Sequence, residues 1–231
     1  MDKLIKFFLL IRPKHFALYS VDENYQILFK VEHFLNDETS ISNPLIINKF
    51  LDENIFKMEK NFKSYIEDIN LIIDHKNFIT VNLSLIKNFR FLSKQIDISL
   101  NDLSNIKESV LKNNTNYELT HMIINKFIVE KKDFIIELDE NNQKNIFLEI
   151  GMICLKKNTI NSFQEILSNY QISIKNTFCF EYVNSFKTVE TDNISVLAYK
   201  LINGLNSNEI SFSKKNPRKI GFFEKFFKFF S

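Results

Sequence analysis

His121 has the most chemistry to offer in this chain. It stands in the run Glu118-Leu119-Thr120-His121, with Glu130, Glu137 and Asp139 among the downstream carboxylates. An imidazole flanked by carboxylates can act as a general base, or hold a metal with them. No Ser, Cys or Asp is spaced around it as a nucleophile would be. The simpler reading makes His121 a strand residue satisfied by the core, and the four carboxylates solvated strand and turn residues. His15, His33 and His75 share no HxxxH or HExxH spacing with it. Cys154 and Cys179 form neither a CxxC pair nor a disulfide framework, so they read as buried free thiols. No catalytic, cofactor-binding or metal-ligating set is assigned, and the chain reads as a non-enzyme.

The chemistry that does stand out is interfacial. Wound at about 100° per residue, Phe222, Phe223, Phe226, Phe227, Phe229 and Phe230 fall within an arc of roughly 160°. Glu224, Lys225 and Lys228 fall opposite, and Lys214, Lys215, Arg218 and Lys219 precede them. A basic amphipathic helix of this kind lies on an anionic membrane without crossing it. The competing reading packs the same face on its own domain or on a partner.

Charge supports the division between body and tail. Residues 213–231 hold six Lys/Arg against one Glu, a net +5 in a chain of net +2, which leaves −3 for the remainder. A nucleic-acid binder would carry its basic stripe on the folded body, so none is expected. Near the N-terminus the longest apolar run, Phe7 to Ile11, is far short of the roughly 20 residues a membrane span needs. Arg12-Pro13-Lys14 follows in place of a small-residue cleavage site. This segment reads as a core strand or short helix, with a second membrane-touching segment as the alternative.

Strands are expected over 15–21 and 25–34, joined at Asp22-Glu23-Asn24 as a hairpin. Pro44 after Asn43 opens a helix, continued by Ile55, Met58, Phe62, Tyr65 and Ile69. Residues 70–76 are ambiguous. A strand covers 78–86, a helix carries Leu103, Ile106 and Val110, and strands cover 117–130 and 146–156. A further strand over 133–138 and its turn over 139–145 are expected. Ile160, Phe163, Leu167 and Tyr170 mark another helix, and alternation at Phe178, Phe180 and Tyr182 a closing strand over 177–183. Residues 197–205 form a short helix, and 206–219 a linker. The fold class is α+β.

Residues 118–130, ELTHMIINKFIVE, resemble the "LHxIPxxYxVD" stretch of the bacterial cell-division family FtsA. His121 matches the family histidine, Phe127 the aromatic and Glu130 the acid, while Ile124 replaces a proline. The order of the other pieces agrees with that family across most of the chain. The resemblance implies a partial actin-like first lobe with a strand–helix–strand–strand insertion and a C-terminal amphipathic helix. Its boundaries would be 1–86 for the partial actin-like subdomain, 87–171 for the insertion and 172–186 for the returning strand. A linker over 187–219 and a membrane-targeting helix over 220–231 would follow.

The chain departs from that family where nucleotide would bind. The family's phosphate turns are Gly-rich, because backbone N–H groups must approach phosphate closely. Here the turn is Val21-Asp22-Glu23-Asn24, and Gly151, Gly204 and Gly221 open no cradle. A second lobe is missing, so neither ATP binding nor hydrolysis is expected. The resemblance implies a divisome adaptor on the cytoplasmic face of the inner membrane. Its partners would be the anionic membrane surface, FtsZ or a bitopic division protein, and other copies of itself. The related actin-like families PilM and GspL give the alternative, a cytoplasmic component of pilus assembly or type II secretion. A small enzyme with a site assembled around His121 is the third reading.

Overall fold

The computed structural model describes residues 4–35, 43–90, 100–129, 143–189 and 192–210. Two sheets organise them. The first contains β1 (Lys6–Arg12), β2 (His15–Val21), β3 (Ile27–Phe34), β4 (Asp68–Ile73) and β8 (Ser173–Cys179), in the order β3-β2-β1-β4-β8. The first two hairpins are antiparallel, while β4 and β8 run parallel to β1. The second contains β5 (Phe78–Arg90), β6 (Tyr117–Val129) and β7 (Gln143–Lys156), antiparallel throughout, in the order β5-β7-β6. The class is α+β.

β1 shows why the first sheet holds the core. Phe8, Leu9, Leu10 and Ile11 are all buried because both sheet faces are covered. Leu9 and Ile11 point to one face, where α1 (Pro44–Phe62) and α3 (Lys157–Ser168) pack. Phe8 and Leu10 point to the other, under α4 (Phe180–Asn184) and α5 (Ile194–Ile202). The second membrane-touching segment considered for this stretch is thereby overturned, since its apolar residues form the middle of the sheet. Residues 70–76, ambiguous in sequence, supply the end of β4, with Leu71, Ile72 and Ile73 fully buried.

Helix α1 begins where its chemistry says it should. The Asn43 side chain accepts the Leu45 N–H at 3.1 Å, and Pro44 takes the first turn. Ile47, Phe50, Leu51, Ile55 and Met58 recur at helical spacing and are buried. The helix stops at Lys63, which turns left-handed at φ 52°. In the second sheet, Leu148, Ile150, Met152 and Cys154 alternate on one face of β7 beneath Leu103 of α2 (Leu100–Asn113).

Three expected elements differ. Helix α1 stops at Phe62, so Tyr65 lies beyond it and Ile69 belongs to β4. The closing strand ends at Cys179, and α4 takes over, so Phe180 and Tyr182 do not continue the alternation. Phe180 lies instead under the Arg12 guanidinium, 4.0 Å from its ring centroid. The linker expected from Asn206 begins as pinned chain. Ile124 donates its N–H to the Asn208 carbonyl at 2.9 Å, and Ile210 donates to the Met122 carbonyl at 2.8 Å. These residues add a short bridge to the open edge of β6. The strand expected over 133–138 lies outside the described residues.

Candidate functional site

The two sheets meet at His121. β6 shifts register between Leu119 and His121, and a bulge there re-aims the side chain toward the end of β8. His121 is 2% exposed. Its Nε2 accepts the Cys179 backbone N–H at 3.1 Å. A nitrogen that accepts carries no proton, so the proton sits on Nδ1. That Nδ1 faces Glu209 Oε1 at 2.7 Å. The ring packs against Tyr182 at 4.2 Å and Phe178 at 5.6 Å between centroids.

The network closes on itself. The Tyr182 hydroxyl donates to Glu209 Oε2 at 2.8 Å and accepts from the Asn206 amide at 2.9 Å. Burial pushes the Tyr182 hydroxyl pKa up, and the Glu209 hydrogen bond adds to the rise. Both imidazole nitrogens, both Glu209 oxygens and the phenol are thus engaged. Each bond ties a different element, β6, β8, α4 or the 206–210 segment. The arrangement ties backbone segments of different elements together.

The neighbouring thiols are not activated. Burial pushes Cys154 up to about 11 and raises Cys179 as well. Of the carboxylates flagged around His121, Glu118 sits on β6 but Glu209 makes the contact. Glu130, Glu137 and Asp139 lie outside the described residues. His15 stacks on Phe34, and His75 accepts the Asn77 N–H, so the remaining histidines serve separate places. Among the described residues, no three His, Cys, Asp or Glu side chains gather as a metal ion would require.

The hairpin turn at Asp22 spends its own donors. Its carboxylate accepts the N–H of Asn24 at 3.0 Å and of Gln26 at 2.9 Å, and Asp22 is 3% exposed. Tyr25, not glycine, takes the left-handed position at φ 62°. The expected interfacial residues are Lys214, Lys215, Arg218, Lys219, Phe222, Phe223, Lys225, Phe226, Phe227, Lys228, Phe229 and Phe230. All lie outside the described residues, beyond Ile210. Among the described residues no helix is long and apolar enough to cross a membrane.

Sequence reasoning missed Glu209 as the partner of His121. Its only signal was an isolated acid beside an apolar Ile210 in an otherwise polar stretch.

No protein-family model matches the chain, and no curated protein does. Among solved structures it is similar to one titled a PilM–PilN type IV pilus biogenesis complex, at 8% identity and a TM-score of 0.45. That match covers 78% of this chain and 49% of the other. It is also similar to the cytoplasmic domain of EpsL, an inner-membrane component of the type II secretion system of Vibrio cholerae, at 8% identity and a TM-score of 0.36. There the coverage is 80% of this chain and 60% of the other. A Marinitoga piezophila Argonaute follows at 15% identity and a TM-score of 0.26, over 73% of this chain and 27% of that one. The chain thus spans about half the length of the PilM–PilN match, and at these scores the likenesses establish neither a family nor a role for it.

Proposed function

We propose that this chain is a non-enzymatic scaffold of a membrane-attached pilus or secretion assembly, held on the cytoplasmic face of the inner membrane by residues 222–230. The observation that carries the reading is the arc of six phenylalanines behind a basic run. Burying six Phe side chains at about 1.5–3 kcal/mol each is largely offset by ordering some ten residues at about 1–2 kcal/mol each. Each Lys or Arg near anionic lipid adds about 1 kcal/mol. The result is a reversible, salt-sensitive anchor, of use to a protein held by several contacts at once.

Two features of the body support a scaffold over an enzyme. The Asp22 carboxylate already occupies the turn N–H groups that a phosphate would need. The groups around His121 are consumed in joining the sheets. The kind of assembly follows the titles of the PilM–PilN and EpsL structures, which name pilus and secretion components. The cell-division reading, with FtsZ as partner, has no support in those titles.

Flotation on vesicles containing anionic lipid tests the anchor. The wild-type chain floats at low salt and is released at high salt. Phe226→Glu with Phe227→Glu abolishes flotation; equal flotation of that variant overturns the anchor. Crosslinking in the source cells, read by mass spectrometry, tests the assembly. Pilus or secretion proteins support the reading, and recovery of FtsZ replaces it with cell division.

A further inference from the structure

We propose that the open groove between β5 and α2 is the resting place of the chain's own Phe222–Phe230 segment, so that docking there competes with the membrane. This rests on the anchor reading and assigns its regulation. The groove is about 540 Å³, floored by Val81, Leu83 and Leu85 of β5 and walled by Ile106 and Val110 of α2. These five side chains are only half-buried, and among the described residues α2 packs mainly against β6. The rim is Asn105, Ser109 and Asn113, with no charged residue in the lining. An apolar face would enter there while Lys225 and Lys228 stay in water.

The occupant is argued from where the chain leaves. Ile210, the last described residue, packs on the same apolar cluster as Val81, Leu83 and Leu85. It sits beside β6, three strand spacings or about 14 Å from β5 across the sheet. Residues 211–221 reach up to roughly 36 Å when extended, so the phenylalanines arrive without strain. Tethering gives them an effective concentration that a free partner would have to exceed.

Hydrogen exchange on the full chain tests this. A segment docked about nine-tenths of the time slows exchange beneath it roughly tenfold, and weakens apparent vesicle affinity by the same factor. The α2 and β5 amides should therefore exchange faster in the Phe226→Glu, Phe227→Glu variant, and faster in the wild type once anionic vesicles are added. Leu83→Asn should loosen the same amides and tighten vesicle binding; if it fails to fold, the tail variant carries the test alone. Unchanged α2 exchange in the tail variant overturns the proposal. Protection that rises with protein concentration overturns it in favour of a second copy. Flotation without any change at α2 keeps the anchor and removes the groove. A change at α2 without flotation keeps the groove and removes the anchor.

Discussion

Among the described residues, the five-stranded sheet is covered on both faces and the three-stranded sheet on one. In the first, consecutive residues of β1 and β4 are buried, from Phe8 to Ile11 and from Ile69 to Ile73. In the second, Val81, Leu83 and Leu85 are half-buried while Asn82 and Ser84 are exposed. Layers on both sides make strands read as continuous apolar runs, and a layer on one side makes them alternate. The first sheet therefore carries the stability. The second is a platform joined to it by the His121 network and by Leu155 and Phe78, which pack with the first sheet's core.

The sharpest break between the two is a core truncation in each. Leu9→Ala opens a cavity between β1, α1 and α3 and should cost about 2–5 kcal/mol. Leu85→Ala, at the half-buried groove, should cost clearly less. Equal losses in denaturant midpoints would remove the distinction between the sheets. Native-state hydrogen exchange should rank them the same way, with β1 and β4 opening last.

The junction comes next. His121→Ala leaves the buried Cys179 N–H without its acceptor and Glu209 without its donor. An unsatisfied buried group costs about 1–3 kcal/mol. The loss should be non-additive with Glu209→Ala, with a coupling of about 0.5–3 kcal/mol in a double-mutant cycle. Additive losses would mean that the two side chains do not work as one unit.

How much of this was legible varies by element. β2, β3, α1 and α2 could be read because hydrophobic spacing, Pro44 and Asn43 are local signals. β4 was ambiguous because a strand buried on both faces has no alternation to read. The end of β8 was misread because Phe180 and Tyr182 keep the strand period while their partners, Arg12 and Glu209, are distant in sequence. His121 stood out, but its meaning depended on Glu209, 88 residues away, and no spacing rule connects the two. The interfacial tail has the plainest local pattern, an amphipathic period contained within twelve residues, and it lies outside the described residues.

A smaller effect concerns pH and belongs to the first sheet. Burial lowers the pKa of His15 on β2 and of His75 just after β4 from an ordinary 6.5. A histidine held neutral in the folded state and free to protonate when unfolded binds more protons unfolded. Stability then rises with pH and is lost as pH falls below about 6.5. Glu32 opposes part of this at His15, at 3.4 Å from Nε2. Melting temperatures should decline from pH 7 to pH 5, with a shallower decline in His15→Gln. An unchanged slope in that variant would assign the dependence elsewhere.

The smallest expected effect tests the second sheet. Gly151 lies on β7 opposite Asn82 and Ile123, where a bulge in β6 follows at Ile124. A Cβ added at Gly151 would come 2.9 Å from the Asn125 side-chain nitrogen and 3.5 Å from the Asn82 oxygen. Both contacts are with the ends of polar side chains, which can swing aside, and the residue has no left-handed backbone to lose. Gly151→Ala also removes backbone freedom from the unfolded chain, a gain of about 0.4–1 kcal/mol. The two effects nearly cancel, so the denaturant midpoint should move little in either direction. Gly151→Val cannot be relieved by one amide rotation and should be measurably worse. A large loss with alanine would mean that the Asn82 and Asn125 amides are held in place on this face, and that the second sheet is as tightly specified as the first.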